Sequence, residues 1–597
     1  MKEVLKPYRL SYRMDGGGQI CAMGAPKLMR LMKVIEGAEL HKSGDDWWIS
    51  MPSTRINIMI AEAMGEAISA SEGYKQARTR LMRAPQDKLN TWLNVAPEIR
   101  PVMKPKQHQV EFCAMAYGER GILNGSEQGT GKTLEAIMLA EAWNREHTLI
   151  VCPRSLRWQW HGEYYGAIQD PHAPIVPIDE GSSKQKLIAI REFAGIGPMT
   201  LVVNYDILAN ILPALVDWHP NVVIFDESWR CINMDAKVTQ AAIGLSDSAD
   251  KVLLLNGTPF AQDITQLFPQ VRMIDTMRGE DFETLDEWRD AYAVVRQVNV
   301  GKFSLPKAVD IKDAPALVRR IAPQFWRATK ATCLDLPEKL KPERVELELP
   351  GALGDLYRVI ESAGDTVFNP LSLSGDRVTT IRKQQIVSGI CPPIGMEGPP
   401  PVKNLGVRKI KGKDTWIMPS PKRDWCLQYA RDRIVPHPTF RAIFWCGFTA
   451  TIEELAEQLA KILGEGSVMA VTGDTNDKEF EAAKAEFNSK SPDGLRVLVA
   501  QTKKLAYGHN LPGCDWNILY DHPWRYIERD QLEDRSHRMG RVGPVGYTEL
   551  VATVGGTKNT KVKKSVDSDI LDAFYRREDF TARFAPDTTG LEDIDIV

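Results

Sequence analysis

Much of what this sequence says lies in what it leaves out. No apolar run approaches the roughly 20 residues that a bilayer-crossing helix needs. The opening stretch, MKEVLKPYRL, has no apolar core of a secretory signal. Both omissions argue against a membrane and for a cytoplasmic, nucleoid-associated protein, or a nuclear one in a eukaryote. The nine cysteines are scattered and form no C-x-x-C pair, which argues against a zinc site or a disulfide framework. Buried free thiols in a reducing compartment are expected instead, with Cys152 and Cys446 inside apolar strands. Charge of one sign is missing too: 75 basic residues face 78 acidic ones, net −3, so no global basic excess announces a nucleic-acid partner. A large enzyme can still gather its positive charge in one cleft. Internal repeats and long low-complexity tracts are also lacking.

What remains is an ordinary globular composition, 43% hydrophobic and 26% charged, on 597 residues, too many for a single core. The stretch Asn124–Thr133, NGSEQGTGKT, organises the rest. A short apolar run, Gly121-Ile122-Leu123, precedes it, and a helical pattern, Leu134 to Asn144, comes after it. Strand, glycine-rich turn and helix start together wrap backbone N–H groups around phosphate oxygens. Gln128, Gly129, Thr130 and Gly131 would form the cradle, Lys132 would place its charge on the outer phosphates, and Thr133 would ligate Mg²⁺. Ser126 stands where G-x-x-x-x-G-K-[ST] has its first glycine. A nucleotide with Mg²⁺ is therefore the expected ligand, the alternative at this point being a glycine-rich helix start of no function.

Residues 1–100 read as a small α+β segment: two short strands within Lys33–Pro52 around the turn 42–46, then a helix, Thr54 to Ser71. Trp47 and Trp48 read as core and rim rather than a base-stacking platform. From Lys104 strands alternate with helices. Thr148–Cys152, Thr200–Val203, Val222–Phe225 and Val252–Leu255 are short and apolar, as buried parallel strands should be. A second set is Ala442–Trp445, Val468–Val471, Arg496–Ala500, Ile518–Tyr520 and Glu549–Val554, separated by helices Ile452–Leu463 and Lys478–Asn488. Two doubly wound α/β lobes with one phosphate loop suggest a nucleotide held between lobes, the second supplying residues in trans. The expected domains are 1–100, 101–335, a linker and insertion 336–420, 421–586 and an acidic tail 587–597. Between the lobes, residues 265 to about 420 read as less regular, helical over Thr284–Gln297, Ala314–Ile321 and Ala352–Ala363. A Pro/Gly-rich loop from Cys391 leads into a basic run, Arg408–Lys413, read as a solvated loop.

Asn221–Glu227, NVVIFDE, ends an apolar strand in two acids. Asp226 is the candidate metal ligand and Glu227 the candidate general base. Leu255-Asn256-Gly257-Thr258-Pro259 comes after the next strand. Late in the chain, Arg535 and Arg538 stand at i, i+3 on an expected helix and would present two guanidiniums on one face to a γ-phosphate.

In this order the motifs resemble superfamily 2 helicases and translocases, and within them the Swi/Snf-type ATPases, from about Lys104 to about Val554. The resemblance implies two tandem RecA-like lobes with helical insertions. It implies that Gln109 reads adenine, and that Ser126–Thr133 is motif I with Ser in place of Asp. Pro153-Arg154-Ser155-Leu156 with Trp160 and Glu163 looks like motif Ia, and Asn204-Tyr205-Asp206 like the family's SYE. Motif II is Asp226-Glu227-Ser228-Trp229, with Trp where histidine is usual, and Asn233 comes next with Ile232 in place of lysine. Gly257-Thr258-Pro259 is motif III, and Arg382-Lys383-Gln384-Gln385 resembles LRQ. Phe444-Trp445-Cys446 falls at motif IV. Gly508-His509-Asn510-Leu511 resembles motif V, and Asp521 with Trp524 resembles the family's D…WNP. Gln531, Arg535, His537, Arg538 and Gly540 match motif VI, with Arg541 where Gln is usual.

The resemblance implies an ATP-hydrolysing motor on double-stranded or forked DNA, with Pro153, Ser155, Tyr205, Thr258 and Asn510 as DNA contacts. Residues Ile35–Leu40 and Trp48–Pro52 further resemble the small accessory HARP domain, which tilts the task towards annealing or remodelling forks. The lean architecture suggests a phage or bacterial source. A strand-separating DNA or RNA helicase is the alternative enzyme, and the DESW and Arg535–Arg538 context speaks against an RNA DEAD-box enzyme. A non-hydrolysing DNA scaffold is the alternative outside enzymes. It sits poorly with Lys132, Asp226, Glu227, Arg535 and Arg538 all being present.

Overall fold

Short apolar runs between helices dictate the architecture. The computed structural model describes residues 8–576 apart from 14–18, 25–28, 30–31, 33–34, 36, 45, 64–66, 180, 258–263, 275–283, 301–302, 364–374, 392–405, 411–412, 506–509, 525, 539 and 556–562. The chain divides into two units, Met1–Asp335 and Leu336–Arg577. Among the described residues no helix is long and apolar enough to cross a membrane.

Unit 1 begins with a five-stranded sheet: β1 (Tyr8–Arg13), β2 (Gln19–Gly24), β3 (Glu39–Ser43), β4 (Asp46–Pro52) and β5 (Ala67–Ala70), in the order β3-β4-β2-β1-β5. The expected hairpin is β3–β4. There His41 stacks on Trp48 and Lys42 lies over Trp47, so both indoles are occupied within the hairpin. The expected helix Thr54–Ser71 stops at Ala63, and Ala67–Ala70 instead pairs in parallel with β1. The free edge of β1 offers backbone groups whose pairing outweighs local helix propensity. Leu10, Ile20, Ile49 and Ile58 join one continuous apolar core with Leu317 and Val318, so this sheet packs on the lobe that comes next in the chain.

That lobe is a seven-stranded sheet, every neighbour parallel: β6 (Gly121–Asn124), β7 (His147–Cys152), β8 (Ile175–Pro177), β9 (Met199–Asn204), β10 (Val222–Asp226), β11 (Lys251–Leu255) and β14 (Phe325–Trp326). The order is β14-β6-β11-β10-β7-β9-β8. Strands covered on both faces by helices must be apolar throughout, and Val222 to Phe225 are fully buried. Between β11 and β14, the expected helix Thr284–Gln297 is only Leu285–Tyr292, capped by Thr284 and Glu287. From Ala293 the chain turns into β12 (Ala293–Val300), which pairs with β13 (Phe303–Ile311). The valines at 294, 295, 298 and 300 favour the strand.

Unit 2 repeats the plan with β15 (Glu343–Glu348), β19 (Ala442–Cys446), β20 (Val468–Val471), β21 (Val497–Gln501), β22 (Trp516–Leu519) and β23 (Gly546–Val554), ordered β15-β23-β22-β19-β21-β20 and all parallel. Both sheets are RecA-like α/β lobes. A short antiparallel strand, β24 (Lys563–Lys564), pairs with β23. A small antiparallel sheet joins β16 (Ile390–Cys391), β17 (Gly406–Ile410) and β18 (Lys413–Ile417). The basic run is thus strand, not a solvated loop, and Arg408 is held by Glu454 at 2.7 Å and Glu457 at 2.6 Å. The Pro/Gly-rich stretch 392–401 and the tail 587–597 lie outside the described residues. All nine cysteines are free, and only Cys333 is not buried.

Candidate active site

In an open parallel sheet, ligands gather beyond the carboxyl ends of the strands, where the loops converge. The carboxyl ends of β6, β7, β9, β10 and β11 carry Asn124, Cys152, Asn204, Asp226 and Leu255, each leading into one of the motifs read from the sequence.

The loop after β6 is fixed from both sides. Asn124 accepts the Ser126 N–H at 3.0 Å and donates to Glu135 at 2.6 Å. Burial pushes the Glu135 carboxyl up to about 8, against the opposing Asn124 hydrogen bond and Lys132 charge. Gly129 and Gly131 have φ of +83° and +96°, a left-handed region that glycine occupies without steric cost. A Cβ on Gly131 would collide with the Gln109 amide. Gln109 donates to the Gly131 carbonyl at 3.0 Å and accepts the Lys106 N–H at 2.8 Å. His108 donates to the Thr130 carbonyl at 2.9 Å. Lys132 caps the loop, donating to the Ser126 carbonyl at 2.7 Å and the Glu127 carbonyl at 3.0 Å. Gln128 is buried, and its side chain closes the space over Gly257. Thr133 is half-buried at the second residue of the helix Lys132–Trp143.

The Ser126 departure has a structural explanation. The residue is fully buried, and its hydroxyl accepts the Ala328 N–H at 3.0 Å. Gly125 donates to the Trp326 carbonyl at 2.7 Å and Glu127 to the Ala328 carbonyl at 2.9 Å. Ser126 is therefore a latch that fastens the loop to the segment after β14. The sequence gives no sign of this partner, about 200 residues away.

The acid pair is held by aromatic side chains. Trp160 donates its indole N–H to Asp226 Oδ2 at 2.9 Å, and Trp229 donates to Glu227 Oε2 at 2.8 Å. The Tyr205 hydroxyl donates to the Asp226 carbonyl at 2.8 Å. Glu227 itself has φ +55°, a conformation that costs a non-glycine residue about 1–3 kcal/mol and concentrates at functional sites. Burial and the Glu227 charge push the Asp226 carboxyl up to about 7, opposed by Trp160 and Lys132. Two acids with one nearby ammonium are short of positive charge, and a hydroxyl plus a carboxylate suit a hard divalent cation. Among the described residues no cluster of three or more His, Cys, Asp or Glu is placed to hold a metal ion.

The other residues singled out by sequence are spread over both units. Pro153 is buried and Ser155 is exposed on the short turn Arg154–Leu156 after β7. Tyr205 is buried, its hydroxyl committed to the acid loop. Thr258 lies outside the described residues, as do Gly508 and His509. Gln384 of the LRQ-like segment accepts the Trp524 indole N–H at 3.0 Å within unit 2. Gln531 is buried in the helix Tyr526–Glu533. Arg535 and Arg538 are not on that helix, which ends at Glu533. The turn after it is drawn away because the Arg535 carbonyl accepts the Leu511 N–H at 2.9 Å and buried Ser536 donates to Asn517 at 3.0 Å. Arg535 is buried and donates to the Gln531 carbonyl at 3.0 Å. Arg538 donates to the Asp534 carbonyl at 2.8 Å and also to exposed Asn510.

Comparison with known proteins fits this layout. Residues 86–369 match the SNF2-related domain, and residues 427–545 match the helicase conserved C-terminal domain. The chain belongs to the Swi/Snf-type ATPases of superfamily 2. It is 24% identical over 563 residues to a DNA repair and recombination protein RAD54-like of Drosophila erecta, covering 84% of this chain and 68% of that one. A Drosophila melanogaster SWI/SNF-related matrix-associated actin-dependent regulator of chromatin subfamily A-like protein 1 is 28% identical over 183 residues, 30% of this chain and 23% of that one. The Sulfolobus solfataricus SWI2/SNF2 ATPase core, solved in complex with dsDNA, is 19% identical, with a TM-score of 0.35 over 83% of this chain and 95% of that one. This Swi/Snf-type protein is a DNA-dependent ATPase. The expectation of a phage or bacterial source finds no support in these relatives.

Proposed function

We propose that this Swi/Snf-type ATPase is a motor that moves along double-stranded DNA, hydrolysing ATP to ADP and phosphate, and that it remodels or anneals DNA at forks. The observation that carries the reading is the meeting of the phosphate loop and the acid pair at one carboxyl edge, with Lys132 close enough to oppose the rise in the Asp226 pKa. In this reading Gln109 and Gln531 contact the nucleotide, and the Gln128–Gly131 backbone and Lys132 bind its phosphates. Thr133 and Asp226 hold Mg²⁺, which when bound neutralises charge on the β- and γ-phosphates. Glu227 accepts a proton as water attacks the γ-phosphorus and the bond to the ADP oxygen breaks. Arg535 and Arg538 stabilise the charge that develops in the transition state.

Duplex DNA as the track is supported by the family and by the recombination role in the RAD54-like relative's name. Ser155 and Asn510, both exposed, are the proposed backbone contacts, and such a grip is salt-sensitive and largely indifferent to sequence. The test is displacement of a third strand from a triplex on duplex DNA. ATP-dependent displacement by the wild type, absent in Lys132→Ala, is expected. Strand separation of a fork without triplex displacement would favour a strand-separating helicase.

A further inference from the structure

Glu227 comes directly after the last residue of β10, and the two neighbouring acids are held differently. Asp226 is gripped through its carboxylate by Trp160 and through its carbonyl by Tyr205. Glu227 sits in the left-handed region, φ +55°, and Trp229 reaches back two residues to donate to Oε2 at 2.8 Å. The indole is itself fixed. It is 8% exposed, and the Arg230 guanidinium lies 5.6 Å from its ring and 5.8 Å from the ring of Tyr205. Arg230 is in turn tethered to Asp206 at 3.7 Å. This cluster of Asp206, Tyr205, Arg230 and Trp229 ends on the acid that faces the chemistry. Trp229 occupies the position where the family resemblance leads one to expect histidine.

We propose that Trp229 is a positioning residue for ATP hydrolysis: its indole N–H fixes the rotation of the Glu227 carboxylate, so that the oxygen that receives the proton of the attacking water is set before the substrate arrives. The proposal rests on the reading of Glu227 as general base. An indole N–H is a donor only and keeps its proton across the working pH range, so the hydrogen bond has one sense. An imidazole can also donate from a ring nitrogen, which makes the family's usual residue a chemically apt substitute.

The test compares Trp229→Phe, which keeps a ring of similar packing but no N–H, with Trp229→His, in steady-state ATPase assays at saturating duplex DNA. Trp229→Phe is expected to lower kcat by about 10- to 100-fold while KM for ATP stays within about threefold, because misplacing a general base gives up part of its about 10²–10⁴-fold contribution. Trp229→His is expected to recover most of that loss. A third protein carries benzothienylalanine at 229, which replaces the N–H by sulfur in a nearly unchanged shape. It should reproduce the Phe defect, and it decides the matter if Trp229→Phe folds poorly. Wild-type kcat in Trp229→Phe or in the benzothienyl protein would overturn the proposal, as would equal loss in Trp229→His or a loss confined to KM. Glu227→Gln is measured alongside. Normal turnover there sinks the base assignment, whereas a dead Glu227→Gln beside a fully active Trp229→Phe sinks this proposal alone.

Discussion

Replacing Gly131 by alanine probes the phosphate loop at the point where the structure leaves least room. Two costs add. At φ +96° an L-residue is strained by roughly 1–2 kcal/mol. The new Cβ also displaces the Gln109 amide, whose hydrogen bonds to the Gly131 carbonyl and from the Lys106 N–H are worth about 1 kcal/mol each. The loop should therefore lose about 3–4 kcal/mol of its nucleotide-ready arrangement. Affinity for a non-hydrolysable ATP analogue should then weaken by roughly 100-fold to several hundred-fold. Gln109→Ala gives up the same two hydrogen bonds, and with them the proposed contact of Gln109 to the nucleotide, without the backbone strain, so binding weaker by at least about 30-fold is expected. In the Gln109→Ala background, Gly131→Ala meets no amide and should cost only the backbone term, leaving a coupling of about 2 kcal/mol. Titration calorimetry on the four proteins, with melting curves as a control for folding, measures each term. Unchanged affinity in Gly131→Ala, or strict additivity in the double variant, would refute the reasoning.

Arg538→Ala should leave nucleotide affinity nearly intact while turnover falls by orders of magnitude, since an arginine finger acts mainly in the transition state. Equal loss of binding and rate would contradict that role. His522 offers a pH test. It is buried, its ring N–H donates to the Leu550 carbonyl at 2.9 Å, and burial together with Lys422 and Arg529 holds its pKa well below the usual histidine value. With a depressed folded pKa, its contribution is complete above about pH 6.5 and is lost as pH falls, because the unfolded chain takes up a proton that the native one does not. The slope is about 1.4 kcal/mol per pH unit below about pH 6.5. Denaturant midpoints of wild type and His522→Gln at about pH 7.5 and about pH 5.5 should diverge on acidification by about that amount, and parallel behaviour would remove the argument.

The buried parallel strands are legible because helices on both faces make them apolar throughout, and for Val468–Val471 the sequence bounds match the strand to the residue. The two-residue β14 and three-residue β8 are not, being too short to show any period. Local spacing overextends the N-terminal helix because β5 is decided by its partner β1, a contact no local pattern records. The same holds for motif VI, where pairing with Leu511 and Asn517 overrides helical spacing. In the candidate site, the glycines, the lysine and the acids announce themselves by type and spacing. The side chains that hold them do not: Ser126, Trp229 and Tyr205 act through hydrogen bonds set by the fold. Trp160 falls by sequence in a DNA-contacting motif, yet its indole serves Asp226. Two of the departures from the family pattern, Ser126 and Trp229, mark where to look.

The central claim is met most directly by the steady-state ATPase rate of wild type, Lys132→Ala and Glu227→Gln with duplex, forked and single-stranded DNA and with RNA. The account predicts turnover stimulated by duplex or forked DNA in the wild type and abolished in both variants. Stimulation by RNA or plain single strands alone, or turnover that survives Lys132→Ala, would contradict it.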